Sequence, residues 1–540
     1  MQHSLFDIDD EGSSIGRIAS DLGASEASVR NWIKTGYLLL DNRKRITKES
    51  LTNFKDKVVG VEKLVGRANK KFLSPLVDTK SFDRDDLRTD DLSVAYENSL
   101  SAAFKNQEGI FYTPDSIADD FFSGLPDARE NLIFCDPCCG SGQFLVAAVR
   151  HGFSPANVYG YDTDASAVAI AKQRMSQFPG FLDANIVAQD FLQCAATRDL
   201  ACPQFDVIMT NPPWGKKLPK LVRENFGKAL NAGKSIDTCS LFFLSAIRHL
   251  RPDGYCGFLL PESFFNIATF EDVRRHLLNL QLLSIVDYGK AFPQLLTKAV
   301  GVVVQKTSRH PEPITTVCRS AITQNSHLRE PAQFLDNPNA IINFRSSADE
   351  AATMSHIMKF PHQTLKGKAR WGLGIVTGNN SRFIRNEAAQ GYFPVWRGSD
   401  ITADGLKSPS IYIPDNFSVY QQVAPRELYA APEKLIYKFI SDRLVFFHDT
   451  EQRFVLNSAN LVIPESSFGI RQAYLEKYFN SKVINWIFHS VFGTYKILRG
   501  DIENIPLFTE FFAQSDAFDE AALCNYLGIR GTESGAYRIA

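Results

Sequence analysis

The residues with the clearest chemical capacity are Asn211-Pro212-Pro213-Trp214. They close the run Phe205-Asp-Val-Ile-Met-Thr210, whose brief apolar, β-branched character predicts a buried strand ended by the proline pair. An Asn side-chain oxygen and a Pro carbonyl can together accept from both hydrogens of an amine on a planar ring. Neither proline brings an N–H to compete. Trp214 can stack on the face of such a ring. A turn with a capping Asn beside a core Trp would look the same, so the meaning of the tetrapeptide rests on the elements that must position it.

Those elements precede it in order. Residues 131–137 predict a buried strand ending in Asp136-Pro137, followed by the turn Cys138-Cys-Gly-Ser-Gly142 and a helix beginning near Phe144. Strand, glycine-rich turn and helix let a backbone approach a nucleoside-bearing ligand closely. The turn is not GxGxxG, which disfavours a dinucleotide. A second strand, 157–161, runs into Asp162, where a carboxylate suits two ribose hydroxyls. A third, 184–188, leads to Asp190-Phe191, an acid and an apolar group that could read an adenine edge and face. Asp136, Asp162, Asp190 and Asn211 then fall at one rim of an open parallel sheet, where α/β folds bind ligands. Each acid alone could be a helix cap; four in order make that reading insufficient. Cys135, Cys138 and Cys139 have no partner pair at zinc spacing, so no metal is expected.

The chain has 540 residues, 44% hydrophobic and 22% charged, with a formal net charge of -1. These values describe an ordinary globular chain of several domains and give no global signal for nucleic acid, so basic surface must be local. Nine cysteines without a compact framework fit a reducing cytoplasm. Neither a signal peptide nor a membrane span is expected. Residues 14–37 read as a helix-turn-helix, with Ser28, Arg30, Asn31 and Lys34 offered to DNA; the alternative is a small helical hairpin that packs on protein. Beyond residue 310 the pattern changes to irregular loops and short strands, with 371–380, 434–443 and 498–506 standing out as turns, an aromatic-basic strand, and a turn before an edge strand.

The ordered set Phe111-Tyr112-Thr113-Pro114, Asp136 to Gly142, Tyr159-Gly-Tyr-Asp162, Gln189-Asp190-Phe191 and Asn211-Pro-Pro-Trp214 resembles the gamma-class DNA adenine-N6 methyltransferases of restriction–modification systems, of the Taq type. The resemblance implies S-adenosylmethionine as cofactor. Phe111, Tyr112, Thr113 and Pro114, with Asp136, Pro137, Gly140 and Gly142, would line its methionine side. Asp162 would bind its ribose, Asp190 and Phe191 its adenine, and Asn211 would border both cofactor and target. Asn211, Pro212 and Trp214 would hold a flipped base, with Phe292, in the first of the two segments that resemble the family's last two strands (284–294 and 298–304), as a second aromatic.

The implied architecture is α/β. A helical unit (1–65) and a linker with leading helix (66–105) precede a Rossmann-like methyltransferase domain (106–309), mostly a parallel sheet, and a target-recognition domain (310–540). The basic run Lys216, Lys217, Lys220, Arg223, Lys228 and Lys234 beside the base pocket points to phosphate contact. Arg370, Asn379, Arg382, Arg397 and Arg443 are candidate contacts of the recognition domain. The expected partner is double-stranded DNA, with a cognate restriction endonuclease beside it. N4-cytosine methylation uses similar geometry, though commonly from a Ser-initiated tetrad. A DNA-binding regulator with an inert methyltransferase fold is the other alternative, and the intact Asp136, Asp162, Asn211 set argues against it.

Overall fold

The computed structural model describes residues 111–540 except 194–202, 217, 293–294, 296, 308–314, 336, 403–404, 494–495 and 515–516. Before residue 111 it describes Ser14, Ile15, Ile18, Val29, Arg45, Ile46, Thr47 and Leu51. Of the expected helix-turn-helix only Ser14, Ile15, Ile18 and Val29 are described; Ser28, Arg30, Asn31 and Lys34 lie outside the described residues, as do the linker and leading helix. The chain divides into two compact units, residues 1–232 with 236–260, and residues 233–235 with 261–540.

In the first unit, β1 (Phe134–Asp136), β2 (Val158–Asp162), β3 (Ile186–Ala188), β4 (Phe205–Thr210) and β5 (Leu250–Pro261) lie in the order β3-β2-β1-β4-β5. All four neighbouring pairs are parallel. The central strands β1 and β4 are short, apolar and nearly continuous in burial, as strands covered on both faces require. Helices α1 (Asp115–Asp120), α2 (Gln143–Arg150), α3 (Ala165–Met175), α4 (Lys220–Ala229) and α5 (Thr238–His249) accompany them. Phe122, Phe134 and Phe153 pack ring to ring under β1. The buried Arg129 guanidinium donates to the carbonyls of Phe122, Leu125 and His151, fixing the chain between α1 and β1. The α1–α2 pair is tied by Arg150 to Asp115 (3.0 Å) and Asp119 (3.1 Å). Every expected strand of the rim is present, one to three residues shorter at its amino end except β4.

The second unit holds β6 (Gln281–Gly289) and β7 (Ala299–Gln305), an antiparallel pair where the sequence places the family's last two strands. Strand β8 (Thr316–Ser320) runs parallel to β6, and β9 (Ser326–Arg329) antiparallel to β8. Farther on, β10 (Ala369–Leu373), β11 (Lys434–Lys438), β12 (Phe446–Asp449) and β13 (Ala459–Pro464) form an antiparallel sheet in the order β10-β13-β11-β12. A smaller sheet joins Ile411–Pro414, Tyr392–Trp396 and Phe454–Val455.

Two features differ from the sequence reading. Helices Gln472–Asn480 and Lys482–Phe492 stand where only loops and short strands were expected, and residues 499–502 form a helical turn rather than a plain turn. Val483, Ile484, Ile487, Phe488 and Val491 recur at helical spacing and are all buried in one large apolar cluster. The second feature is Lys434, read as part of a basic strand. It is fully buried on β11, where its ammonium contacts the equally buried Asp449 and donates to the Tyr429 carbonyl at 2.7 Å.

Candidate active site

The carboxyl ends of β1, β2, β3 and β4 frame one cavity of ≈ 170 Å³, lined by Phe111, Tyr112, Thr113, Asp136, Pro137, Gly140, Asp162, Asp190, Phe191, Asn211 and Pro213, among others. The glycine turn shapes its floor. Gly142 has φ +88° and begins α2, and a Cβ there would stand 3.1 Å from that of Ala171. Only glycine meets both demands cheaply. Pro114, Gly142, Pro212 and Trp214 are not among the lining residues. Pro114 precedes α1 and Gly142 sits in the turn, so both shape the wall from outside it.

Backbone donors orient the three acids. Asp162 accepts from Gly140 N (2.8 Å) through one oxygen and from Asp164 N (2.9 Å) through the other. Each oxygen keeps a further lone pair, enough for a pair of neighbouring hydroxyls. Asp190 accepts from Leu192 N (3.0 Å). Asp136 Oδ1 accepts from Cys138 N (3.0 Å) and from the Thr210 hydroxyl (2.6 Å). Burial raises the pKa of all three acids. For Asp136 it outweighs the two hydrogen bonds, and with the nearby Asp162 charge it pushes the carboxyl up to about 7. Phe191 is buried edge-on against Tyr161 and His249.

Asn211 leaves β4 directly after the fully buried Thr210. Its Nδ2 donates to the Phe111 carbonyl at 2.7 Å, an arrangement that fixes the amide's orientation because the flipped form would set oxygen against oxygen. Its Oδ1 is buried without a hydrogen-bond partner among the described residues. An orphaned buried acceptor costs about 1–3 kcal/mol, so it marks a place where a donor is missing. Trp214 is held by its indole N–H to the Leu259 carbonyl (3.2 Å) and lies 6.1 Å from the Phe111 ring at 47°.

The basic candidates divide. Lys216 lines the cavity, and its charge favours the ionised forms of Asp162 and Asp190; the Thr238 hydroxyl donates to its carbonyl. Lys220 is exposed at the start of α4, 3.8 Å from Glu224, and Lys217 lies outside the described residues. In the second unit, Arg370, Arg382, Arg397 and Arg443 are exposed. Asn379 spends its side-chain oxygen on Arg382 N (3.2 Å) and the Ser381 hydroxyl (2.7 Å), which caps a helical turn. Phe292 belongs to the second unit and is only 4% exposed.

Two contributors escape a sequence reading. Thr210 reaches Asp136 across 74 positions. Arg174, the buried cation of α3, donates to the Ser141 carbonyl at 2.9 Å and braces the glycine turn. An arginine in an otherwise small and apolar helical face is the one local signal for the second.

Comparison with known proteins places this geometry. Residues 87–304 match the N-6 DNA Methylase family, and residues 393–507 the TaqI-like C-terminal specificity domain. Type II methyltransferase M.VspI of Vibrio sp. (strain 343) is 45% identical over 413 residues, 75% of this chain and 100% of that protein. Modification methylase CviBIII of Paramecium bursaria Chlorella virus NC1A is 24% identical over 220 residues, 40% of this chain and 54% of its own. In fold, the DNA complex of the type IIL restriction–modification enzyme MmeI aligns with a TM-score of 0.54 at 12% identity, covering 90% of this chain and 84% of that one. With an α/β methyltransferase sheet, a specificity domain and a relative matched over its full length, the chain belongs to the type II DNA methyltransferases of restriction–modification systems.

Proposed function

We propose that the chain transfers a methyl group from S-adenosylmethionine to the N6 amine of an adenine flipped out of double-stranded DNA. The observation that carries this reading is the buried, unpartnered Oδ1 of Asn211 on the wall of the acidic cavity. The cavity's donor set fits the cofactor: Asp136 suits its ammonium, Asp162 its ribose hydroxyls, and Asp190 with Phe191 its adenine. When bound, the cofactor supplies an activated methyl on a sulfonium.

The protein's own work is then positional and electrostatic. An amine conjugated to a purine is a weak nucleophile because its lone pair is delocalised. Asn211 Oδ1, with the Pro212 carbonyl, accepts from both N–H groups and favours the geometry that frees the lone pair. The base must leave the stack to be reached. Stacking on Trp214, worth roughly 1–3 kcal/mol per base, offsets part of that cost. Trp214 is pinned by its N–H and by Phe111, so it offers a rigid platform.

Arg370, Arg382, Arg397 and Arg443, exposed on the second unit, are the groups we assign to DNA contact, together with Lys217 and Lys220. Asn379 enters this set through its amide N–H₂ only, since its oxygen is engaged. A cognate endonuclease is the natural companion of such a methyltransferase. The seven described cysteines are free, and no described helix is long and apolar enough to cross a membrane.

Single-molecule sequencing of genomic DNA from cells expressing the protein, against an Asn211→Ala control, tests this reading. N6-methyladenine at one short motif, absent from the control, is the expected result. N4-methylcytosine would overturn the assigned base, and unmodified DNA would overturn the assigned reaction.

A further inference from the structure

Thr210 has no part in the reading above, yet it connects the two chemical ends of the cavity. It is the residue before Asn211, is fully buried, and donates its hydroxyl to Asp136 Oδ1 at 2.6 Å. Strands β1 and β4 run side by side with Cys135 opposite Ile208, so their carboxyl ends emerge together. The second bond to Asp136, from Cys138 N, falls on the same oxygen. Oδ2 has no hydrogen-bond partner among the described residues, on a side chain that lines the cavity. Both bonds thus clamp one oxygen and leave the other for a ligand.

We infer that Thr210 is a positioning residue for the cofactor, its hydroxyl holding Asp136 in the orientation and the ionised form that receive the cofactor's ammonium group. This rests on the reading that S-adenosylmethionine occupies the cavity. The titratable groups facing Asp136 are Asp162 at the end of β2 and the thiols of Cys138 and Cys139 in the turn. Among the described residues no cation opposes them there: Lys216 acts on Asp162 and Asp190. Hydrogen bonds alone therefore work against burial to keep the carboxylate charged, and the Thr210 bond is the stronger of the two influences. Because Thr210 adjoins Asn211, the same contact ties the cofactor's anchor to the residue that faces the target amine.

Equilibrium binding of S-adenosylmethionine to the full chain, measured by calorimetry from pH 6 to 9, tests the inference. The proteins compared are wild type, Thr210→Val and Thr210→Ser. Valine keeps the volume and removes the hydroxyl. It is expected to move the pH midpoint of binding up by about one unit, which weakens binding about threefold near pH 7.5 and about tenfold near pH 6. Serine is expected to restore both. A Thr210→Val protein whose pH midpoint stays at the wild-type value would overturn the inference whatever its affinity, since a packing role alone leaves the midpoint in place. A serine variant that folds but behaves like valine would overturn it too. Failure of the wild type to bind at any pH would instead overturn the cofactor reading beneath it.

Discussion

Replacing Asp136 by Asn should make the unliganded protein more stable and its cofactor site worse. Burial lifts the carboxyl from an ordinary 3.8 to about 7. Between those values the folded chain keeps a proton that the unfolded chain has released. Stability therefore falls as pH rises from about 4, and the loss is complete above about pH 7. At about 1.36 kcal/mol per pH unit the ionised carboxylate costs the empty fold at most about 4 kcal/mol. Relaxation and water entry reduce such figures, so about 2 kcal/mol is the working value. Asparagine carries no charge to desolvate and retains an oxygen for Cys138 N and Thr210. Thermal unfolding of wild type and Asp136→Asn from pH 4.5 to 8.5 should show a Tm gain of about 4–8 °C at the alkaline end that vanishes at the acid end. Calorimetry on the same pair should show cofactor binding weakened at least about tenfold. An Asp136→Asn variant no more stable than wild type at pH 8, or a gain that does not grow with pH, would refute the reasoning.

Lys434→Met should destabilise the second unit by about 3 kcal/mol, because it strands the buried Asp449 with Arg453 (2.8 Å) as its remaining cation. An unchanged urea midpoint would count against a structural ion pair. Lys216→Ala should weaken S-adenosylmethionine binding several-fold while leaving the salt dependence of DNA binding as it was. A DNA-binding salt slope smaller by about one, with cofactor affinity intact, would return Lys216 to the phosphate backbone.

What the sequence made legible was local. Short apolar runs ending in Asp136, Asp162, Asp190 and Asn211 gave the strands and their rim, because strand burial and glycine turns leave signatures within a few residues. The cavity's second layer was not visible. Thr210 meets Asp136 across 74 positions, Arg174 meets Ser141 across 33, and Lys434 is neutralised by Asp449 on the neighbouring strand. Such partners follow from register and packing. The basic residues spread from Lys216 to Lys234 do not share one setting: Lys216 lines the cavity and Lys220 stands exposed on α4, a division that follows from packing and not from charge in sequence. The helices at 472–492 carry helical spacing in their apolar residues, but the glycine turns on either side mask it within a short window.

The most direct test of the catalytic claim is single-turnover methyl transfer to duplex DNA by Asn211→Ala, with cofactor affinity measured on the same preparation. If Asn211 Oδ1 accepts from the target amine, the rate should fall by about 10²–10³ while the cofactor dissociation constant stays within a few-fold. A rate within about threefold of wild type would mean the buried acceptor serves the fold and not the reaction.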